Sequence, residues 1–98
     1  MGVKSSESGD TVTIQVAGRF DFATHRDFVG TYKDIPKGAK KFVVDLANTD
    51  YLDSSALGML LQLRQHARTD AAVELRSGSE GVEEILRIAN FDKLFKLV

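Results

Sequence analysis

The 98-residue sequence predicts one α/β domain, a mixed sheet of about four to five strands with helices mainly on one face. Segments in which apolar residues recur at period 2 alternate along the chain with segments at the helical period of 3.6. The nearly continuous apolar run Phe42–Leu46 is typical of an interior parallel strand. Such an order indicates stacked strand–helix–strand units, whose right-handed crossovers place the helices on one face. The other face is then expected to be partly open or covered by an N-terminal hairpin.

The N-terminal elements are predicted to form that hairpin. In Thr11–Ala17 apolar and polar side chains alternate, as in a strand whose two faces have different environments, and Gly18 closes the strand. Glu7–Asp10 would form the turn that leads back to a short first strand at Val3–Ser6.

The first helix is predicted to begin at a capping box. Thr24 and Asp27 have the spacing of this motif, with Asp in place of the usual Glu or Gln. The apolar residues that follow at helical spacing are Phe28, Val29, Tyr32 and Ile35. Pro36-Lys37-Gly38 is predicted to end the helix, because the residue before a proline is pushed away from helical geometry.

The second half of the chain is predicted to add further strands and helices. A polar loop, Ala47–Asp50, follows the apolar strand and leads to a helix that ends at about Arg68. The remaining predicted elements are a strand at Ala71–Arg76, a turn at Ser77–Ser79, a helix from Ser79 or Glu80 to about Asn90, and a short strand or helical turn within Phe91–Val98.

Composition and charge exclude several classes of function. The 13 Lys and Arg against 14 Asp and Glu leave a net charge of −1, which argues against nucleic acid or an anionic membrane as the main partner. No cysteine is present, so a disulfide, a thiolate metal site and a cysteine nucleophile are excluded. The polar N-terminus and the short apolar runs predict a cytoplasmic protein without a signal peptide or membrane span. We expect no cofactor and no metal site.

Asp53-Ser54-Ser55 is the most informative segment, because it lies where a strand and a loop deliver the chain to a helix N-terminus. In α/β folds, function collects at the carboxyl ends of strands. One interpretation is structural: Asp53 or Ser54 caps the helix by accepting a hydrogen bond from a first-turn N–H. The other interpretation is a functional site, and the residues that follow favour it.

The helix after this segment is apolar nearly all round over Ala56–Leu63. One sheet can bury only part of that circumference, so some of Leu57, Met59 and Leu61 are predicted to face a partner. Gly58 costs the helix about 1 kcal/mol relative to Ala. It therefore either permits close approach of a partner's backbone or packs against the loop before the first helix.

Asp53–Gly58 resembles the D-S-[ST]-G-L-G signature of the STAS domain of bacterial anti-sigma factor antagonists. Gly18–Asp21 resembles the family's G-E-[IL]-D motif, and the resemblance covers nearly the whole chain. Two residues depart from the family pattern: Ala56 stands where many members have Gly, and Arg19 replaces a frequent acid.

The resemblance implies an anti-sigma factor antagonist, not an enzyme, that is a monomer when free. In the family, the position of Ser54 is phosphorylated by a partner anti-sigma factor that is also a serine kinase of the GHKL type, and a PP2C-type phosphatase removes the phosphate. The unphosphorylated protein binds the anti-sigma factor, which frees the sigma factor. Asp53 would orient the site and help to bind the kinase. The expected partner-binding residues are Asp21, Asp53, Ser54, Ser55, Leu57, Gly58, Met59 and Leu61.

The sequence fits other functions less well. A hydrolase triad of Ser54 with His25 or His66 lacks a G-x-S-x-G motif, and His66 is roughly 18 Å along the helix from Ser54. The aspartates between residues 45 and 53 could suggest a metal or phosphotransfer site, yet they follow a single strand, where local Asx turns explain them. The remaining alternative is a docking subunit of a transport or other regulatory complex that has no phosphorylation cycle.

Overall fold

The computed structural model describes residues 2–36, 40–67 and 73–98. Its strands are β1 Gly2–Ser8, β2 Thr11–Phe20, β3 Lys41–Asp45, β4 Thr49–Leu52, β5 Val73–Arg76 and β6 Lys96–Leu97. Its α-helices are α1 His25–Gly30, α2 Ser54–Ala67 and α3 Glu80–Ile88, and 3-10 turns lie at Phe22–Thr24 and Phe91–Lys93. The α/β class is confirmed, and the sheet contains a strand, β4, that the sequence did not predict.

The sheet is mixed, in the order β1-β2-β3-β5-β6, and β4 pairs with the end of β2. The hairpin of β1 and β2 is antiparallel, whereas the other strand pairs are parallel. The register places Ile14 opposite Val44 and Val44 opposite Leu75. All three side chains are fully buried, so an apolar ladder crosses the sheet and forms the base on which the helices pack.

The helices cover one face of the sheet. Along β2, Val12, Ile14 and Val16 are buried, whereas Gln15 between them is exposed. The strand β1 extends the sheet at its edge through its pairing with β2. The hairpin thus does not cover the second face, and that alternative is wrong. The second face is partly open, since Gln15 is exposed whereas Val43, which alternates with the buried side chains on either side of it in β3, is itself buried.

Helix α1 is shorter than predicted, and its capping box is absent. The Thr24 hydroxyl donates a hydrogen bond to the Asp21 carbonyl oxygen at 2.6 Å instead of capping the helix. Asp21 acts as the cap, since its carboxylate accepts from the Ala23 N–H at 3.0 Å and starts the 3-10 turn. The chain thus begins to coil three residues earlier than predicted. The predicted helix end at Lys37 and Gly38 lies outside the described residues.

The end of β2 also differs from the prediction, with a consequence for the site. Gly18 does not close the strand: it has a φ of +82°, the register shifts between Gly18 and Arg19, and the strand continues to Phe20. This bulged end pairs with β4, which lies partly in the segment predicted to be a polar loop. Thr49 of β4 is buried, and its hydroxyl donates to the Val16 carbonyl oxygen at 2.6 Å.

The C-terminal elements follow the prediction closely. Helix α3 begins where the Ser79 hydroxyl oxygen accepts from the Val82 N–H at 3.4 Å. It ends before Asn90, whose φ of +64° turns the chain into the second 3-10 turn. The predicted end of α2 at Arg68 and the predicted strand start at Ala71 lie outside the described residues. None of the helices in the described part of the chain is long and apolar enough to cross a membrane.

Candidate functional site

The candidate site lies at one edge of the sheet, where β2 and β4 both end. Their parallel pairing places Phe20 opposite Leu52, and both side chains are buried. Asp21 directly follows the first of these residues, and Asp53 directly follows the second. The two motifs singled out from the sequence therefore leave the sheet at the same edge, as expected for the carboxyl ends of parallel strands.

Asp53 is the N-terminal cap of α2. Its Oδ1 accepts hydrogen bonds from the Ser55 N–H at 3.0 Å, the Ala56 N–H at 3.1 Å and the Ser55 hydroxyl at 2.6 Å. Two of the backbone donors that a helix N-terminus leaves unpaired are thereby satisfied. The structural interpretation of this segment is thus correct for Asp53, and it does not extend to Ser54.

The same hydrogen bonds hold Asp53 in its charged form. The Ser55 hydroxyl is the main cause that lowers the pKa of the Asp53 carboxyl below its usual value, and the Ala56 N–H adds to the effect. Each of these donors stabilises the carboxylate relative to the neutral acid. A full negative charge therefore sits beside Ser54 at neutral pH.

Ser54 and Ser55 are adjacent in sequence, but their hydroxyls are in different states. The Ser55 side chain is half-buried, and its hydroxyl donates to Asp53. Ser54 is exposed as the first residue of α2, and within the part of the chain that the structure describes its hydroxyl makes no hydrogen bond. Of the two serines, Ser54 is the more exposed, and its hydroxyl is not held by a neighbouring side chain in the described residues.

Neither histidine forms a triad with Ser54. The Nε2 atom of His66 lies 2.6 Å from the Ile35 carbonyl oxygen, and its ring is 4.9 Å from the Tyr32 ring. His66 is therefore half-buried and held between α2 and the segment after α1. His25 is exposed on α1.

The aspartates between residues 45 and 53 do not gather into a metal site. Among residues 2–36, 40–67 and 73–98, no group of three His, Cys, Asp or Glu side chains could hold a metal ion. Asp45 instead accepts the Ala47 N–H at 3.0 Å, which is the Asx turn that such a loop favours.

The apolar residues of α2 divide between the core and the surface. Leu61 is 39% exposed and Leu57 is half-buried at the edge of the core. Met59 is only 3% exposed, so its assignment as a partner-binding residue is wrong. The helical rotation of 100° per residue brings Met59 onto the same face as Ala56 and Leu63, which is the face that packs on the sheet.

Gly58 lies on the open side of α2. A Cβ added to Gly58 would meet no atom within 4 Å. The alternative in which this glycine packs against the loop that carries Asp21 is therefore wrong. The first turns of α2 thus present Ser54, Gly58 and Leu61 to solvent as one part of an exposed helix surface.

Three further residues near this edge were not predicted as site residues. The Arg19 guanidinium carbon lies 4.1 Å from the centre of the Tyr51 ring, and Arg19 Nε lies 3.3 Å from Asp21 Oδ2. Phe22, directly after Asp21, is 77% exposed. Arg19 and Tyr51 meet because they are register partners in the pairing of β2 with β4, and without β4 the sequence carried no signal for this contact.

Comparison with known proteins places this geometry in context. A family model described as "Mlab, STAS domain" matches residues 3–98. The STAS-domain containing protein PA14_20770 of Pseudomonas aeruginosa (strain UCBPP-PA14) is 50% identical over 93 residues, which cover 94% of this chain and 92% of that protein.

Solved structures that share the fold include two bacterial proteins. An anti-sigma factor antagonist from Mycobacterium paratuberculosis superposes with a TM-score of 0.80 at 17% identity, covering 97% of this chain and 82% of that one. The Bacillus cell fate determinant SpoIIAA in its phosphorylated form superposes with a TM-score of 0.68 at 14% identity, covering 99% of this chain and 91% of that one.

Proposed function

The chain belongs to the STAS domain family, and from this premise we propose that it is an anti-sigma factor antagonist whose partner binding is controlled by phosphorylation of Ser54. The observation that carries the proposal is the difference between the two serines at the start of α2. The Ser55 side chain is half-buried and donates a hydrogen bond to Asp53 at 2.6 Å, whereas Ser54 is exposed. A kinase that docks on this helix therefore reaches the Ser54 hydroxyl more readily than the Ser55 hydroxyl.

In the proposed reaction, the Ser54 oxygen attacks the γ-phosphorus of ATP. A bond forms between that oxygen and phosphorus, the bond to the ADP oxygen breaks, and the hydroxyl proton passes to a base. A serine hydroxyl is a weak nucleophile at neutral pH unless a base activates it. Because His66 is hydrogen-bonded to the Ile35 carbonyl, the partner supplies the base together with ATP and Mg²⁺. The chain is the substrate of this reaction and not the enzyme, and it needs no cofactor of its own.

The N-terminus of α2 can accept the phosphoryl group without unfolding. The helix dipole stabilises negative charge at this end of the helix, where the Ser55 and Ala56 N–H groups already bind the Asp53 carboxylate. The fold is also known in a phosphorylated protein, since SpoIIAA has been solved in that form. We therefore expect the phosphorylated protein to keep the backbone described above.

Release of the partner follows from charge and desolvation. A phosphoryl group adds about −1.5 to −2 charges, and here it would stand next to the Asp53 carboxylate. A protein that docks over the first turns of α2 would have to strip water from both negative groups. The unphosphorylated protein would bind the anti-sigma factor in the cytoplasm, and a PP2C-type phosphatase would restore that form.

The proposal is tested by intact-mass measurement. The protein is incubated with the candidate anti-sigma kinase and ATP-Mg²⁺, in parallel with the variants Ser54→Ala and Ser55→Ala. We expect one added phosphoryl group on the wild type and on Ser55→Ala, and none on Ser54→Ala. A protein that no GHKL-type kinase of its own cell modifies, or a Ser54→Ala variant that is modified at Ser55, would contradict the assignment.

The second candidate function is a docking subunit of a transport or other regulatory complex without a phosphorylation cycle. The cap formed by Asp53 stabilises α2 whether or not Ser54 is ever modified, and the exposed surface of α2 could serve a permanent interface. The two functions differ in one measurable property: a permanent subunit copurifies with its partner irrespective of ATP, whereas an antagonist is released by phosphorylation.

A further inference from the structure

Arg19, Tyr51 and Phe22, here called the Arg19 patch, lie exposed at the edge of the sheet from which α2 also starts. The Arg19 side chain is 65% exposed and lies 4.1 Å above the Tyr51 ring. Tyr51 and Phe22 are both exposed large hydrophobic residues. The patch and the start of α2 lie at the same end of the sheet, because β2 and β4 end side by side at Phe20 and Leu52.

The Arg19 side chain is held in place before any partner binds. The bulge at Gly18, whose N–H donates to the Asn48 carbonyl oxygen at 2.9 Å, shifts the register so that Arg19 lies opposite Tyr51. Asp21 fixes the guanidinium from the side, because its Oδ2 lies 3.3 Å from Arg19 Nε while its Oδ1 caps the 3-10 turn. A side chain that is already ordered loses less conformational entropy when it binds.

The chemistry of the patch fits a carboxylate. Only Nε of Arg19 contacts Asp21, and in the described part of the chain the two terminal nitrogens have no hydrogen-bond partner. Two parallel N–H donors match the two oxygens of an Asp or Glu side chain. Arginine and tyrosine are also the residue types that most often dominate the energy of protein interfaces.

The surroundings of the patch exclude a polyanion. The carboxylates of Asp21, Asp50 and Asp53 belong to the segments that flank Arg19 and Tyr51, and the whole chain carries a net charge of −1. Nucleic acid, or a membrane with many phosphates, would be repelled by these acids. A single carboxylate on a protein surface can contact the Arg19 guanidinium without coming close to all of these aspartates.

We propose that the Arg19 patch binds an acidic segment of the protein that docks on α2. One Asp or Glu side chain of that segment pairs with the terminal nitrogens of Arg19, and an apolar neighbour packs on Phe22 or Tyr51. This inference rests on the proposed function, since the docking protein is the same partner. It makes Arg19 a specificity-determining residue, because a partner with a basic group at this point is repelled.

The test is site-specific crosslinking in the native cells. The photoreactive amino acid p-benzoylphenylalanine replaces Phe22, and in a control protein it replaces Ile88 of α3, which is exposed to the same extent at 75%. Each of these two photoreactive proteins is combined with Arg19→Glu or with the matched control Arg87→Glu. Arg87 is also an exposed arginine beside an acid, since its Nη2 lies 3.5 Å from Glu83 Oε2.

We expect a protein adduct at position 22 that Arg19→Glu abolishes and Arg87→Glu preserves, with no adduct of the same protein at position 88. Mass spectrometry should map the adduct to a segment that contains Asp or Glu. Replacing that acid by Arg in the purified partner should restore binding to Arg19→Glu, after a loss of about thirtyfold. Absence of an adduct at position 22, an adduct that survives Arg19→Glu, or failure of the charge exchange overturns the inference.

Failure of this inference is distinguishable from failure of the proposed function. If Ser54 is phosphorylated and partner affinity is the same for wild type and Arg19→Glu, the Arg19 patch is wrong and the antagonist function stands. If the adduct depends on Arg19 and Ser54 is never phosphorylated, the patch stands and the phosphorylation cycle is wrong.

Discussion

A single carboxylate oxygen distinguishes the two serines at the start of α2, because it accepts a hydrogen bond from the hydroxyl of Ser55 only. Asp53 Oδ1 accepts from two backbone N–H groups and from the Ser55 hydroxyl. These bonds tie Asp53 and Ser55 to each other and to the first turn of α2, and they leave the Ser54 hydroxyl in solvent. The same oxygen thus caps the helix and, in the proposed function, directs the kinase to Ser54.

Loss of the Asp53 cap should lower the thermal stability of the protein. Asp53→Ala removes the acceptor of two first-turn N–H groups, so we expect its Tm to fall by a few degrees. Ser54→Ala is the matched control and should leave the Tm nearly unchanged, because the Ser54 hydroxyl makes no hydrogen bond in the described part of the chain. Circular dichroism melts of the two variants make the comparison, and equal Tm values would contradict the assignment of the cap.

The hydrogen bond from the Ser55 hydroxyl should change the measured pKa of Asp53. The pKa of Asp53 is lowered in the folded state, so the charged carboxylate stabilises the fold at a pH above the ordinary pKa of the group. This stabilisation is lost below about pH 4, as the pH falls through the folded-state pKa. Ser55→Ala removes the largest cause of the lowering. We expect carboxyl ¹³C NMR to show a higher pKa of Asp53 in Ser55→Ala, and the stability to be lost at a higher pH. An unchanged pKa would show that the hydrogen bond contributes nothing.

Helix α2 has one face in the core and another in solvent, and each should respond differently to truncation. Met59→Ala removes a buried side chain and should lower the free energy of unfolding by about 2–4 kcal/mol. Leu61→Ala removes a partly exposed side chain of similar size and should cost less than about 1 kcal/mol, yet weaken partner binding. Urea unfolding and titration calorimetry give the two quantities, and the reverse order of stabilities would contradict the placement of the helix.

Gly58 offers a substitution with opposite effects on stability and binding. Since a Cβ at this position would meet nothing within 4 Å, Gly58→Ala should stabilise the protein by about 0.5–1 kcal/mol through helix propensity. The added methyl group would hold the partner's backbone away from the helix, so we expect weaker binding. A variant that is more stable and binds with unchanged affinity would show that no partner approaches closely at Gly58.

The elements that the sequence could predict are those with a clear apolar pattern of their own. α3 was predicted because apolar residues such as Leu86 recur at the helical period, and β3 because a short, nearly continuous apolar run is typical of a buried parallel strand. β4 could not be predicted, since its burial depends on a partner strand: Thr49 is buried through a hydrogen bond to the Val16 carbonyl, and a lone threonine carries no such signal. The contact between Arg19 and Tyr51 depends on β4 and was missed with it.

The site itself was predicted to a different extent at each residue. The position of Asp53 and Ser54 at the start of a helix followed from cap chemistry and from the family signature. Burial of Met59 did not follow, because an almost wholly apolar helix does not reveal which face meets the sheet. The structure resolves that ambiguity by placing Ala56, Met59 and Leu63 in the core.

At the scale of the whole molecule, the net charge is so small that phosphorylation of one serine changes it severalfold. The net charge of −1 would become about −3 on phosphorylation of one serine. Ser54 is exposed and is not part of the hydrophobic core, so we expect the fold to be kept. Backbone amide NMR spectra of the two forms should differ only near the start of α2, and changes spread over the core strands would contradict a purely local switch.

The most direct test of the central claim is the affinity of the partner for protein that carries phosphoserine at position 54. Genetic incorporation of phosphoserine yields this form without any kinase, and the unmodified protein and a form with phosphoserine at position 55 serve as controls. Titration calorimetry should show binding at least about tenfold weaker for phosphoserine 54 than for the unmodified protein. Equal affinities of these two forms would contradict the account.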